Sequence, residues 1–111
     1  MREMLSTWGG RAEFDYEGSV ADATDIWFGL KPWHARVTGD EYAALLKHFK
    51  DRTVLMGTPR EPPSGSVGSW LQQNVDKRAL ASYVGAILVY EGYAQRVPGE
   101  SSMIRFIRVT P

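Results

Sequence analysis

The only imidazoles, His34 and His48, lie in different segments with no His-x-x-x-His spacing. They therefore do not compose a metal-ligand pair on one helix face. His34 reads as a polar partner beside Trp33, and His48 as a charge near a helix end. With zero cysteines, disulfides, thiolate nucleophiles and cysteine-based zinc sites are excluded. No Gly-x-Ser-x-Gly elbow is present to expose a serine as a nucleophile. Gly65-Ser66-Val67-Gly68-Ser69 precedes a helix-like run and loosely suggests an anion site. It lacks the Gly-Lys-Ser/Thr ending of a phosphate loop and no strand leads directly into it, so it reads as a helix cap. Asp22 and Asp25, with Glu17 nearby, are expected to be solvated carboxylates. The sequence thus predicts no enzyme activity, no metal and no cofactor. What remains is the chemistry of cations. Lys77 and Arg78 share one side of an expected helix with Ala81, Ser82 and Gly85, three residues small enough to admit a close surface.

The elements that would position those cations run from Ser66 to Arg96. Val67, Trp70 and Leu71 recur at helical spacing. The run breaks at Asn74-Val75-Asp76, and Asp76 is expected to cap a second helix. There Leu80, Val84, Ile87 and Leu88 form an apolar stripe with Tyr83 on its edge, and Glu91-Gly92 closes it. Tyr93 to Val97 and Met103 to Val109 read as strands joined by Pro98-Gly99, a pair suited to the centre of a type II turn. Upstream, Thr38-Gly39-Asp40-Glu41 matches a capping box. Its helix is expected to run to about Lys50 and to bury Tyr42, Leu45, Leu46 and Phe49. Lys47, His48 and Lys50 then sit at the negative end of its dipole. Thr53 to Met56 is a short β-prone run ended by Gly57, and the prolines between Thr58 and Gly65 make an extended loop.

Residues 1–37 are richer in aromatics than in pattern. Met1 to Gly10 reads as a loop or short turn. Arg11 to Tyr16 alternates and suits a short edge strand. Ser19 is expected to cap a short helix through Asp25 or Phe28, carrying Val20, Ala23 and Trp27 inward, with Gly29 and Pro32 ending it. Lys31 to Val37 looks extended. Trp8, Phe14, Tyr16, Trp27, Phe28 and Trp33 are expected either to pack on the core or to serve a partner or homodimer surface.

Two helices followed at once by a hairpin resemble the winged helix-turn-helix superfamily. The residues that carry the resemblance are the Leu80 to Leu88 stripe, the helix exit Leu88-Val89-Tyr90-Glu91-Gly92-Tyr93, Arg96 after it, and the hairpin. It covers roughly residues 38 to 109. The resemblance implies an α+β fold of three helices and a small antiparallel sheet, a domain at 38–111, with 1–37 as an aromatic-rich extension packed on its core. It further implies double-stranded DNA as partner, with the second helix of the pair in the major groove, as in a transcriptional regulator or targeting domain. Lys77, Arg78, Ala81, Ser82 and Gly85 would then face DNA, and Gln72 and Gln73 would contact phosphates. The wing, Pro98 to Ser102 flanked by Arg96 and Arg105, would lie on backbone or minor groove, although its tip carries Glu100 and neither Lys nor Arg. A second reading is a winged-helix protein-interaction module or small inhibitor that uses Trp8, Trp27, Phe28 and Trp33.

At 111 residues the chain fits one domain and would bury roughly 65% of its unfolded surface. Thirteen basic and thirteen acidic residues give zero net charge, which disfavours nonspecific nucleic-acid binding driven by overall charge. The distribution is uneven. Residues 1–38 hold four basic and six acidic groups, whereas 67–111 hold five basic and three acidic. No apolar run approaches the ~20 residues of a membrane span. No basic-then-apolar signal pattern opens the chain, so a cytoplasmic protein with no membrane partner is expected.

Overall fold

A computed structural model describes residues 2–29 and 33–110. The parts of the expected elements that fall on Met1, Lys31 and Pro32 lie outside the described residues. The molecule is α+β, with three helices and two antiparallel sheets among the described residues.

Alternation governs the N-terminal third. Strands β1 (Glu3–Ser6), β2 (Glu13–Ser19), β3 (Ala23–Phe28) and β4 (Trp33–Thr38) form a four-stranded meander in chain order. Phe14, Tyr16, Thr24, Ile26, Ala35 and Val37 are buried on one face, as every second residue of a strand should be when one face meets a core. This corrects three expectations. The loop at the start contains β1. The strand around Phe14 is interior to the sheet, not an edge. The helix expected from Ser19 is the β2–β3 hairpin. Ser19 does use its hydroxyl as a cap would, accepting from Asp22 N at 3.3 Å, but it closes a turn. Val20 is buried as expected. Trp27 faces outward instead, because Ile26 and Phe28 claim the inner face.

The capping box forms. Glu41 N donates to Thr38 Oγ1 at 3.1 Å and Thr38 N donates to Glu41 Oε1 at 2.9 Å. It opens α1 (Gly39–His48), which buries Tyr42, Leu45 and Leu46. Gly39 allows the β2–β3 turn to rest on this helix start: its N–H donates to Asp22 O at 2.8 Å, and a Cβ there would stand 2.5 Å from that oxygen.

Strand β5 (Thr53–Leu55), helix α2 (Val67–Asn74), helix α3 (Ala81–Tyr90) and strands β6 (Ala94–Val97) and β7 (Glu100–Phe106) complete the chain. The second sheet has the order β5-β7-β6, and Gly99, with φ of 79°, supplies the left-handed position of the β6–β7 turn. Helix α3 starts later than its expected cap. Asp76 accepts from the Arg78 backbone N–H at 2.9 Å, the chain bends at Lys77 and Arg78, and the helix begins at Ala81. Ala81, Val84, Gly85, Ala86, Ile87 and Leu88 are buried, so α3 is enclosed nearly all round. One continuous core runs from Trp8 through both sheets to Phe106.

Candidate nucleic-acid interface

Tryptophan 8 decides what the surface around α3 looks like. Its backbone N–H donates to Ser82 O at 3.0 Å, its indole N–H donates to Ser101 O at 2.7 Å, and its carbonyl accepts from Arg96 Nη2 at 3.0 Å. The Arg96 guanidinium also lies 4.0 Å from the centre of its ring, a cation–π arrangement. The segment after β1 is thereby fastened to both α3 and the β6–β7 hairpin. Phe28 stacks on Tyr83 at 4.6 Å and Phe14 meets the same ring edge-on at 5.2 Å. At the far end of α3, Glu91 accepts from Tyr16 Oη at 2.7 Å and from Val20 N at 3.0 Å. Burial and the Glu91 carboxylate both push the Tyr16 hydroxyl well above its ordinary range.

This packing reassigns the residues expected to meet DNA. Ala81 is 1% exposed, and Gly85 is buried with space for no Cβ: the added atom would stand 3.1 Å from Trp8 Cε3 and 3.0 Å from Met56 Sδ. Neither is open to solvent, and at Gly85 the space is taken by Met56 and by Trp8 from the loop after β1. Ser82 is half-buried, with its carbonyl bound by Trp8. Arg78 is exposed in the α2–α3 turn, but its fork closes on Asp76, with Nε to Oδ1 at 3.0 Å and Nη2 to Oδ2 at 2.7 Å. Those hydrogen bonds hold the Asp76 carboxyl below its ordinary range and lift the Arg78 guanidinium above its own. Lys77 is exposed in the same turn. Gln72 Nε2 donates to Arg60 O at 2.8 Å, bracing the proline-rich loop, and Gln73 Nε2 donates to Ser69 Oγ at 3.3 Å. Arg105 sits opposite Thr53 and Gln95 in the row of the second sheet that faces solvent. Residue 104, next along the strand, points into the core instead, so Arg105 lies on the far side of the sheet from Arg96's contact with Trp8.

Among the aromatics expected at a partner surface, Trp8 is core, Phe28 is half-buried against Tyr83, Trp27 is half-buried on the outer face of the sheet, and Trp33 is 59% exposed. The histidines stay apart. His34 Nε2 lies 2.9 Å from Asp25 Oδ1, and His48 rests edge-on against Phe49.

Two of the expected residues do come together. Ser82 and Arg96 line a cleft of about 790 Å³ between the β1–β2 loop, α3, the β6–β7 hairpin and the β5–α2 loop. Thr7, Arg11, Thr58, Ser101 and Ser102 share it, with Trp8 and Tyr83 as its aromatic wall. Its described lining contains two guanidinium groups, five serine and threonine hydroxyls and the Tyr83 phenol, and no carboxylate. Arg96 is held in place by Trp8, which leaves most of its donors unspent. Such a lining favours an oxyanion, since forked donors and hydroxyls match phosphate oxygens. Nothing local in the sequence marks Arg11, Thr58, Ser101 or Ser102. They meet only because the loop from Thr7 to Ala12, closed by Thr7 N to Ala12 O at 2.9 Å, is carried onto the β6–β7 hairpin by Trp8.

Comparison with known proteins finds no matching family model, no matching curated protein and no matching solved structure.

Proposed function

We propose that the chain is a winged helix-turn-helix domain that binds double-stranded DNA through its phosphate backbone, without inserting α3 into the major groove. The single observation that carries this reading is the cleft between wing and α3, whose described lining is cationic and hydroxylated without an opposing carboxylate. The order helix, strand, helix, helix, hairpin, with the first strand paired to the last, supports the superfamily resemblance. Arg11 and Arg96 contact phosphate from the cleft, and Lys77 contacts it from the α2–α3 turn. Phosphate contacts position a protein but carry no direct sequence information, and Ala81 and Gly85 are unavailable to base edges. Binding is therefore weak, salt-sensitive and nearly blind to sequence.

Anisotropy titrations of labelled mixed duplexes over a salt series test this. Three phosphate contacts correspond to a slope of about −2.7 in log affinity against log salt, and Arg11→Ala is expected to reduce it by about 0.9. Unrelated duplexes should bind within a few-fold of one another. Absence of binding at low salt, or a slope untouched by Arg11→Ala, overturns the reading. A protein-interaction module is the second reading, favoured by the closure of α3 beneath the N-terminal sheet.

A further inference from the structure

The outer face of the four-stranded sheet has chemistry of the opposite sign. Register places Met4, Asp15, Trp27 and His34 in one row across all four strands. Met4 is 62% exposed, and the chain's own Arg2 lies over Trp27 in this row. At its β1 end lies a cleft of about 280 Å³ bounded by Glu13, Asp15, Met4 and Trp27. That is below the size of a drug-like pocket, roughly 300–1,000 Å³, and suits one side chain. The chain's own Arg2 reaches into it. Its guanidinium carbon lies 3.7 Å from the centre of the Trp27 ring, while Nη1 is 3.8 Å from Asp15 Oδ2. The latter distance is too long for a hydrogen bond, and the Arg2 side chain remains 52% exposed. The Glu13 side chain is exposed, and its carboxylate has no polar partner among the described residues.

We propose that this cleft binds an arginine side chain presented by an extended segment of another protein, and that Arg2 is a loosely held internal substitute for it. Three features select the occupant. An indole face with a carboxylate beside it matches a guanidinium, which is flat and more weakly hydrated than an ammonium. Glu13 and Asp15 against Arg2 leave one negative charge without a counterpart in the cleft. Strand β1 is the sheet edge, so an incoming segment can lie alongside it and deliver a side chain to the adjacent cleft. The proposal does not depend on DNA binding, because the two surfaces share no residue.

The probe is a short capped peptide of alternating glycine and arginine, compared with its citrulline counterpart, titrated into the full chain. The readout is the indole N–H resonance of Trp27, assigned through Trp27→Phe. The arginine peptide should shift it and the citrulline peptide should not. Arg2→Ala should tighten binding about three- to fivefold by vacating the cleft, and Asp15→Asn should abolish it. Chain folding in each variant is checked by the dispersion of the remaining indole signals. No shift in Arg2→Ala, equal binding of the citrulline peptide, or binding unchanged by Asp15→Asn overturns the proposal. A concentration-dependent dimer that Arg2→Ala dissolves also overturns it, because a second copy would then be the occupant.

Discussion

One methyl group at Gly85 distinguishes an enclosed α3 from an open one, through the sign of its effect. On an exposed helix, Gly→Ala stabilises by about 1 kcal/mol, since glycine has more backbone freedom to lose. Here the new Cβ would stand 3.0 Å from Met56 Sδ and 3.1 Å from Trp8 Cε3, and closer still to Met56 Cε. Trp8 cannot retreat without breaking its bonds to Ser82, Ser101 and Arg96. Met56 is 1% exposed, so its terminal methyl has to move within packed surroundings. Overpacking of this kind costs about 1–3 kcal/mol. Set against the helix term, Gly85→Ala should destabilise by about 1 kcal/mol, which is about 4 °C in melting temperature for a domain of this size. Urea unfolding followed by far-ultraviolet circular dichroism reads it. In a Trp8→Ala background Met56 gains room, and the same substitution should become neutral or stabilising, a coupling of about 1 kcal/mol or more. A higher urea midpoint for Gly85→Ala alone would refute the close packing of Trp8 and Met56 on α3.

Other perturbations probe the seams of the same structure. The buried Tyr42 hydroxyl and Thr24 Oγ1 are 2.7 Å apart, so Tyr42→Phe strands a buried hydroxyl at a cost of about 1–3 kcal/mol; in denaturant melts, Tyr42→Phe with Thr24→Val should recover much of that loss. Glu91→Ala removes the acceptor shared by Tyr16 and Val20 and should cost about 2–3 kcal/mol, with amide exchange quickening first around β2; uniform exchange rates would count against the clamp. On the acid side, burial alone would raise the Asp25 carboxyl, but hydrogen bonds from His34 and Arg36 leave it below its ordinary 3.8. Asp76 is lowered chiefly by Arg78. Depressed carboxyls contribute stability above pH 3.8 that is lost as the pH falls further, so Arg78→Ala should flatten the acid limb of a stability–pH curve. In alkali the sign reverses. Burial raises Tyr16 and Tyr42 above the ordinary 10.0, the unfolded chain sheds those protons first, and stability should decline above pH 10.

Interactions within a few residues were legible in the sequence. Thr38 and Glu41 announce their capping box, Pro98-Gly99 its turn, and Tyr42, Leu45 and Leu46 their buried stripe. Each signal and its structural result occupy the same short stretch, so no distant partner can alter the outcome. Ser19 shows the limit. Its hydroxyl chemistry serves a helix cap and a turn alike, and the period-two run Thr24, Ile26, Phe28 decides for the hairpin only once β2 and β4 lie beside it. Small residues at Ala81 and Gly85 did signal a surface in close approach. At Gly85 that surface is Met56 and Trp8, from distant stretches of the chain. The union of Arg11 with Arg96, and of Arg2 with Trp27, likewise belongs to the tertiary structure. Strand register and core packing bring residues together across sequence separations that carry no local mark, because the energy that joins them is the burial of faces that each element presents only after it has formed.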